Sequence, residues 1–104
     1  MTITCRVDAQ SQKYVNGLDR VVLTVLAGTI RPYPQKGQRI PIILNTPQGR
    51  YLGGIRDLYI CPDLISVKGD NRVSLARILK DNGMSVGDEI LLQVFGDKWT
   101  LSGN

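Results

Sequence analysis

A mainly β protein, a seven-stranded open or pseudo β-barrel with one short helix before its last two strands, is the fold class this sequence predicts. Three observations predict it. Short runs rich in β-branched residues recur along the chain, separated by Gly, Pro and Asn clusters. A single stripe of apolar residues at helical spacing occurs, and it comes late. A tight apolar hairpin then follows that stripe in LARILKDNGMSVGDEILLQVFGDKWTL. With 104 residues, 42 % of them hydrophobic and 21 % charged, the chain reads as one domain over 1–104. Such a domain buries roughly 60 to 70 % of the surface its unfolded form exposes.

The opening TITCRV alternates Ile3, Cys5 and Val7 against Thr2, Thr4 and Arg6, the period of a half-buried strand. Residues 8–19 are polar, contain Asn16-Gly17 and read as a loop. RVVLTVLAGTI is β-branched and apolar on both faces, which predicts a strand covered from two sides. In RPYPQKGQ two prolines fix φ and remove amide donors, so a loop is expected there. RIPIIL resumes an extended pattern, with Pro41 calling for an edge or a bulge. NTPQG turns the chain into RYLGGIR, where Arg50, Leu52, Gly54 and Arg56 share one face and Gly53-Gly54 suits a bend or bulge. LYICP and DLISV give one or two further short strands broken at Pro62, and KGDN is a turn.

Leu75, Ile78 and Leu79, with the preceding Val73, make a helical stripe about two turns long. Asp70, Asn71 and Ser74 are the candidate N-caps. If Gly83 takes the left-handed C′ position, Met84 meets Leu79 in a Schellman ending. EILLQVF is apolar on both faces, Gly96-Asp97 fits a two-residue type II′ turn, and KWTL returns with Trp99 and Leu101 inward. Trp99, Phe95 and Met84 are assigned to the core, with the helix plugging one barrel end. A five-stranded OB-like barrel also carries a helix before its last two strands and is the alternative fold. Its three strands before the helix compare with about five read here.

Charge and cysteines bound the chemistry. The net charge is +4, unevenly placed: no acidic residue lies between Asp19 and Asp57, while Arg20, Arg31, Lys36, Arg39, Arg50 and Arg56 fall inside that window. From Arg72 onward four basic residues balance four acidic ones. The chain has no histidine, which excludes His-containing zinc sites, HNH-type nucleases and imidazole-dependent triads. Cys5 and Cys61 form no CxxC pair and are expected to be buried thiols rather than a disulfide. The uncharged stretch Val21 to Ile30 is about half the ~20 residues of a membrane span. MTITCRVDAQ lacks a basic region followed by an apolar run, so the expectation is a cytoplasmic protein without a signal peptide.

For catalysis the inventory is thin. Pro62-Asp63 begins like a PD-(D/E)xK nuclease site but no matching carboxylate and lysine follow at useful spacing. Ser66 and Lys68 are too generic for a dyad, and Glu89 is the one glutamate. No enzyme activity, metal or cofactor is expected.

The closing section, RILKDNGMSVGDEILLQVFGDKWTL, resembles the DNA-binding pseudobarrel superfamily, which includes the DNA-binding domains of plant auxin-response-type transcription factors and restriction-endonuclease effector domains. The residues carrying the resemblance are Asp81-Asn82-Gly83-Met84, the Gly87-Asp88 turn, the strand Glu89 to Phe95 and the return after Gly96-Asp97. The helix departs from the plant pattern, with Leu75 and Ala76 where a bulky aromatic often stands. The resemblance implies two arms that grip duplex DNA in the major groove, as in transcription regulation or restriction effector-like recognition.

Cations in this pattern suit phosphates and guanine edges, since most are arginines with a planar fork. The candidate nucleic-acid-binding residues are Arg31, Tyr33, Lys36 and Arg39 about the proline-stiffened loop, Arg50 and Arg56 on one strand face, and Lys68 and Arg72 at the helix entry. Asn45 and Gln48, read in the NTPQG turn, are candidates for adenine. A non-enzymatic module for double-stranded DNA is therefore expected. The alternative is a protein-interaction or small-ligand barrel, in which these cations are solvated strand edges. Single-strand binding needs aromatic platforms, for which only Tyr33, Tyr51 and Tyr59 are available on strands or arms.

Overall fold

A computed structural model describes residues 1–11, 13, 20–28 and 35–101. Among these residues nine strands and one helix follow in chain order: β1 (Thr2–Ala9), β2 (Val21–Ala27), β3 (Arg39–Thr46), β4 (Gly49–Arg56), β5 (Tyr59–Ile60), β6 (Asp63–Ser66), β7 (Arg72–Ser74), α1 (Leu75–Asp81), β8 (Glu89–Phe95) and β9 (Lys98–Leu101). Seven of the strands close a ring in the order β3-β9-β8-β1-β2-β5-β4, and β4 pairs back onto β3. The ring is the expected seven-stranded barrel, not a five-stranded OB barrel. Its neighbours are antiparallel except for the parallel pair β3–β9. The other two strands form a β6–β7 hairpin that branches from β4.

The branch explains the break at Pro62. One edge of β4 pairs first with β6, at Tyr51 and Leu52, and further along with β5, at Ile55 and Arg56. Pro62, between β5 and β6, has no amide to offer that edge. Cys61 N–H donates to Gly54 O just before it, and Pro62 O accepts from Leu75 N–H just after. β7 was not anticipated: Val73 pairs with Leu64 as a strand residue instead of starting the helix. Ser74 is the reason, because its hydroxyl accepts from Arg77 N–H and caps α1 one residue later.

The end of α1 follows its local code. Gly83 takes φ +72, Met84 N–H donates to Leu79 O, and Gly83 N–H donates to Lys80 O, the two bonds of a Schellman motif. Leu75, Ile78 and Leu79 face the core with 2 % exposure or less. Each contributes roughly 1.5–3 kcal/mol of burial. α1 packs against β2 and β7. Val22 is buried as well as Val21 and Leu23, while Leu26, farther along β2, is 41 % exposed.

A closed single-layer barrel has one inside. Accordingly β8 buries Ile90, Leu92 and Val94 and turns Leu91 and Phe95 outward. Phe95 is 87 % exposed, against the core assignment made from its apolarity, whereas Trp99 and Met84 are buried. Gly96 has φ +62 and Phe95 pairs with Lys98, so the Gly96-Asp97 hairpin turn forms as expected. The paired glycines of β4 make no bulge, because the β3–β4 register runs unbroken from Arg39–Arg56 to Thr46–Gly49. They provide room instead: a Cβ on Gly53 would lie 2.5 Å from Leu64 Cδ2 in the core. Pro41 lies opposite Gly54, outside the stretch where β3 pairs with β9, so its missing amide interrupts no ladder there. Cys5 is buried, Cys61 half-buried, and both are free thiols.

A candidate nucleic-acid interface

Strand parity places Arg39, Pro41, Ile43 and Asn45 of β3 and Arg50, Leu52, Gly54 and Arg56 of β4 on the outer face of one hairpin. Arg39 stands opposite Arg56, and Asn45 opposite Arg50. Neither strand contains an acidic residue. Arg50 and Arg56 are ~20 Å apart along β4 at ~3.3 Å per residue. Crosswise, the registers align Arg72, Ile65, Leu52, Ile43, Lys98 and Phe95 in one row over β7, β6, β4, β3, β9 and β8. Arg72 and Lys98 are thus four strand spacings apart, ~19 Å at ~4.8 Å each. Between them lies an apolar strip in which Leu52 is 47 % and Ile65 40 % exposed.

At the base of the hairpin the arginines meet in a cleft of about 290 Å³, lined by Gln10, Arg20, Arg39, Arg56, Tyr59, Cys61, Pro62 and Asp63. Three local devices build it. Gly54 has no side chain, so Arg39 lies across it; a Cβ there would fall 2.6 Å from Arg39 Cγ. The Asp57-Leu58 turn, with Asp57 at φ +51, sets Tyr59 beside Arg56. The bond from Cys61 N–H to Gly54 O holds the segment through Asp63 alongside. From outside the hairpin, Gln10 N–H donates to Arg20 O and Arg20 Nη2 reaches Asp63 Oδ2 at 2.9 Å. Among the described lining residues three are arginines and one, Asp63, is a carboxylate. Arg39 and Arg56, directly opposed like charges, are a destabilising cross-strand pair in the absence of a compensating anion.

Two cations elsewhere are paired locally. Arg6 Nε contacts Asp8 Oδ1 at 2.7 Å, and Arg77 lies 3.6 Å from Asp81. The hydrogen bond from Arg6, followed by that from Thr24, holds the Asp8 carboxyl below its usual range.

Of the ten residues proposed from sequence, Arg31 and Tyr33 lie outside the described residues. Arg39, Arg50, Arg56 and Arg72 are exposed on the continuous outer sheet, and Lys36 is exposed in the turn just before β3. Lys68 is exposed in the β6–β7 turn, next to Val67, whose N–H bonds Arg50 O. Asn45 belongs to β3 and not to the turn. Gln48 is in the turn, but its Oε1 accepts from Asn82 Nδ2 at 2.8 Å, fastening the hairpin tip to the end of α1. That bond occupies one of the two groups an adenine contact uses.

Sequence reasoning missed Arg20, Tyr59 and Lys98 as members of the site. The Arg39–Arg56 opposition was available, since a two-residue Pro47-Gln48 turn fixes every pair of the hairpin. The approach of Arg20 had no local signal. Among the described residues no three or more His, Cys, Asp or Glu side chains gather as a metal site, and no helix is long and apolar enough to cross a membrane. No family model, curated protein or solved structure matches the chain.

Proposed function

We propose that this protein is a non-enzymatic double-stranded DNA-binding module of the cytoplasm, with the outer face of the β3–β4 hairpin as its contact surface. One observation carries the reading: Arg39, Arg50 and Arg56 project from the same face of a hairpin whose two strands contain no acidic residue. Arg72 and Lys98 extend the charge sideways. The ~20 Å between Arg50 and Arg56 matches about six base-pair rises of 3.4 Å. Phosphate contacts along this face fix the register, and Arg50 or Asn45 supplies base-edge hydrogen bonds in the major groove. The likeness of the closing section to the pseudobarrel superfamily supports the same reading, as the recognition part of a regulator or restriction effector.

The exposed strip of Leu52 and Ile65, with Phe95 at its end, favours a second reading, a protein-interaction barrel. Fluorescence anisotropy with labelled duplex and single-stranded oligonucleotides over a salt series separates the two. The DNA reading expects duplex to bind more tightly than single strand, with affinity falling steeply as salt rises. No duplex binding at low salt overturns it.

A further inference from the structure

The geometry points to a second recognition element within the cationic face: the cleft of Arg20, Arg39 and Arg56 is a seat for a phosphate monoester dianion, the group at a strand's 5′ end or on a free nucleotide. The inference deepens the function proposed above and rests on the same face, but not on that face engaging a duplex.

Charge and size argue for it. Arg39 and Arg56, directly opposed across β3–β4, bring two positive charges to the cleft, beside an Arg20 already engaged by Asp63. Asp57, in the adjoining turn, is not among the lining residues. A monoester carries a charge near −2 at neutral pH, whereas an internal phosphodiester carries −1, so the monoester matches the charge of the opposed arginine pair. The volume, about 290 Å³, is at the bottom of the range for small-molecule sites and suits a headgroup with little attached. Guanidinium forks match the terminal oxygens of phosphate in pairs. Asp63 completes the arrangement by holding Arg20 from one side at 2.9 Å, so that this guanidinium is positioned before a ligand arrives. An anion between Arg39 and Arg56 also converts their cross-strand repulsion into two attractions.

The test compares methyl phosphate with dimethyl phosphate on the full chain, by two-dimensional NMR titration. Methyl phosphate is expected to shift the amides of Arg56, Tyr59 and Cys61 and to bind at least ~10-fold more tightly, as an added charge-assisted hydrogen bond implies. Its affinity falls as pH is lowered through about 6, where the monoester gains a proton. Arg56→Ala and Arg39→Ala should abolish the preference, and Arg56→Lys should restore it only in part, because the fork is lost. Arg77→Ala removes the same charge from α1 and should leave the preference intact.

Equal affinity for the two esters, shifts centred away from the cleft, or equal loss in Arg77→Ala overturns the inference. Short duplexes with a 5′-phosphate or a 5′-hydroxyl, run beside a nucleoside 5′-monophosphate, identify the source of the monoester. A hydroxyl-ended duplex that binds while methyl phosphate does not leaves the DNA reading standing and removes the cleft. The reverse result keeps the cleft and removes the duplex.

Discussion

Replacing Arg50 and Arg56 together by alanine tests whether the outer face of the hairpin meets a duplex. Both side chains are exposed, and neither makes a salt bridge among those found in the described residues, so folding is expected to survive. The face presents Arg39, Arg50, Arg56, Arg72 and Lys98. If each neutralises one phosphate, log K falls against log salt with a slope of about −4.5, at ~0.9 per contact. Removing two contacts reduces the slope to about −2.7. Between ~50 and ~200 mM salt the parent then loses ~500-fold in affinity and the double variant ~40-fold. The assay is anisotropy of a labelled duplex at a series of salt concentrations. Arg6→Ala with Arg77→Ala is the charge-matched control, since those cations are engaged by Asp8 and Asp81 on other elements. An unchanged slope in the hairpin variant, or an equal drop in the control, would refute the assignment of the face.

Three further outcomes concern the barrel. Gly53→Ala inserts a methyl 2.5 Å from Leu64 Cδ2 and should cost ~1–3 kcal/mol in denaturant unfolding; an unchanged midpoint contradicts that packing. Phe95→Ser, at a position 87 % exposed, should change stability by less than ~0.5 kcal/mol, while Trp99→Ala should cost ~3–5 kcal/mol; thermal melts that rank them otherwise reverse the facing of the last hairpin. Burial pushes the Cys5 thiol from its ordinary 9.0 up to about 12, so iodoacetamide near pH ~8 should modify half-buried Cys61 and spare Cys5 until the chain unfolds. Because the folded state keeps that proton longer, the stabilisation is complete below pH 9.0 and is lost as pH rises toward about 12. The loss is on the order of 4 kcal/mol, and alkaline unfolding of Cys5→Ala lacks this component.

Local chemistry was legible residue by residue. Gly83 ends α1, Gly96-Asp97 turns the last hairpin, and alternation in TITCRV and KWTL assigns inside from outside. Each of these depends on a φ angle or a side-chain period set by neighbours within a few positions. The same locality made Arg50 and Arg56 readable as one face, which Arg39, read with the proline-stiffened loop, joins through the register of the hairpin.

Apolarity alone misled where a side chain's surroundings are set by distant chain. Phe95 and Val22 are both apolar and both lie off the inward parity of their strands, yet Phe95 lies bare and Val22 is buried. Likewise Gln48, read as a free turn residue, is fastened by Asn82 from across the fold.

The sequence by itself determined the seven-stranded barrel class, the late helix, its C-terminal ending, and the shared face of Arg50 and Arg56. Tertiary structure alone decided that β3 pairs with both β4 and β9 to close the ring, that β6–β7 leaves it as a branch, and that Arg20 joins Arg39 and Arg56 around Asp63. The reason is that periodicity encodes the direction of each side chain relative to its own strand. Which strand edges meet depends on closure of the whole ring, a property no local window contains.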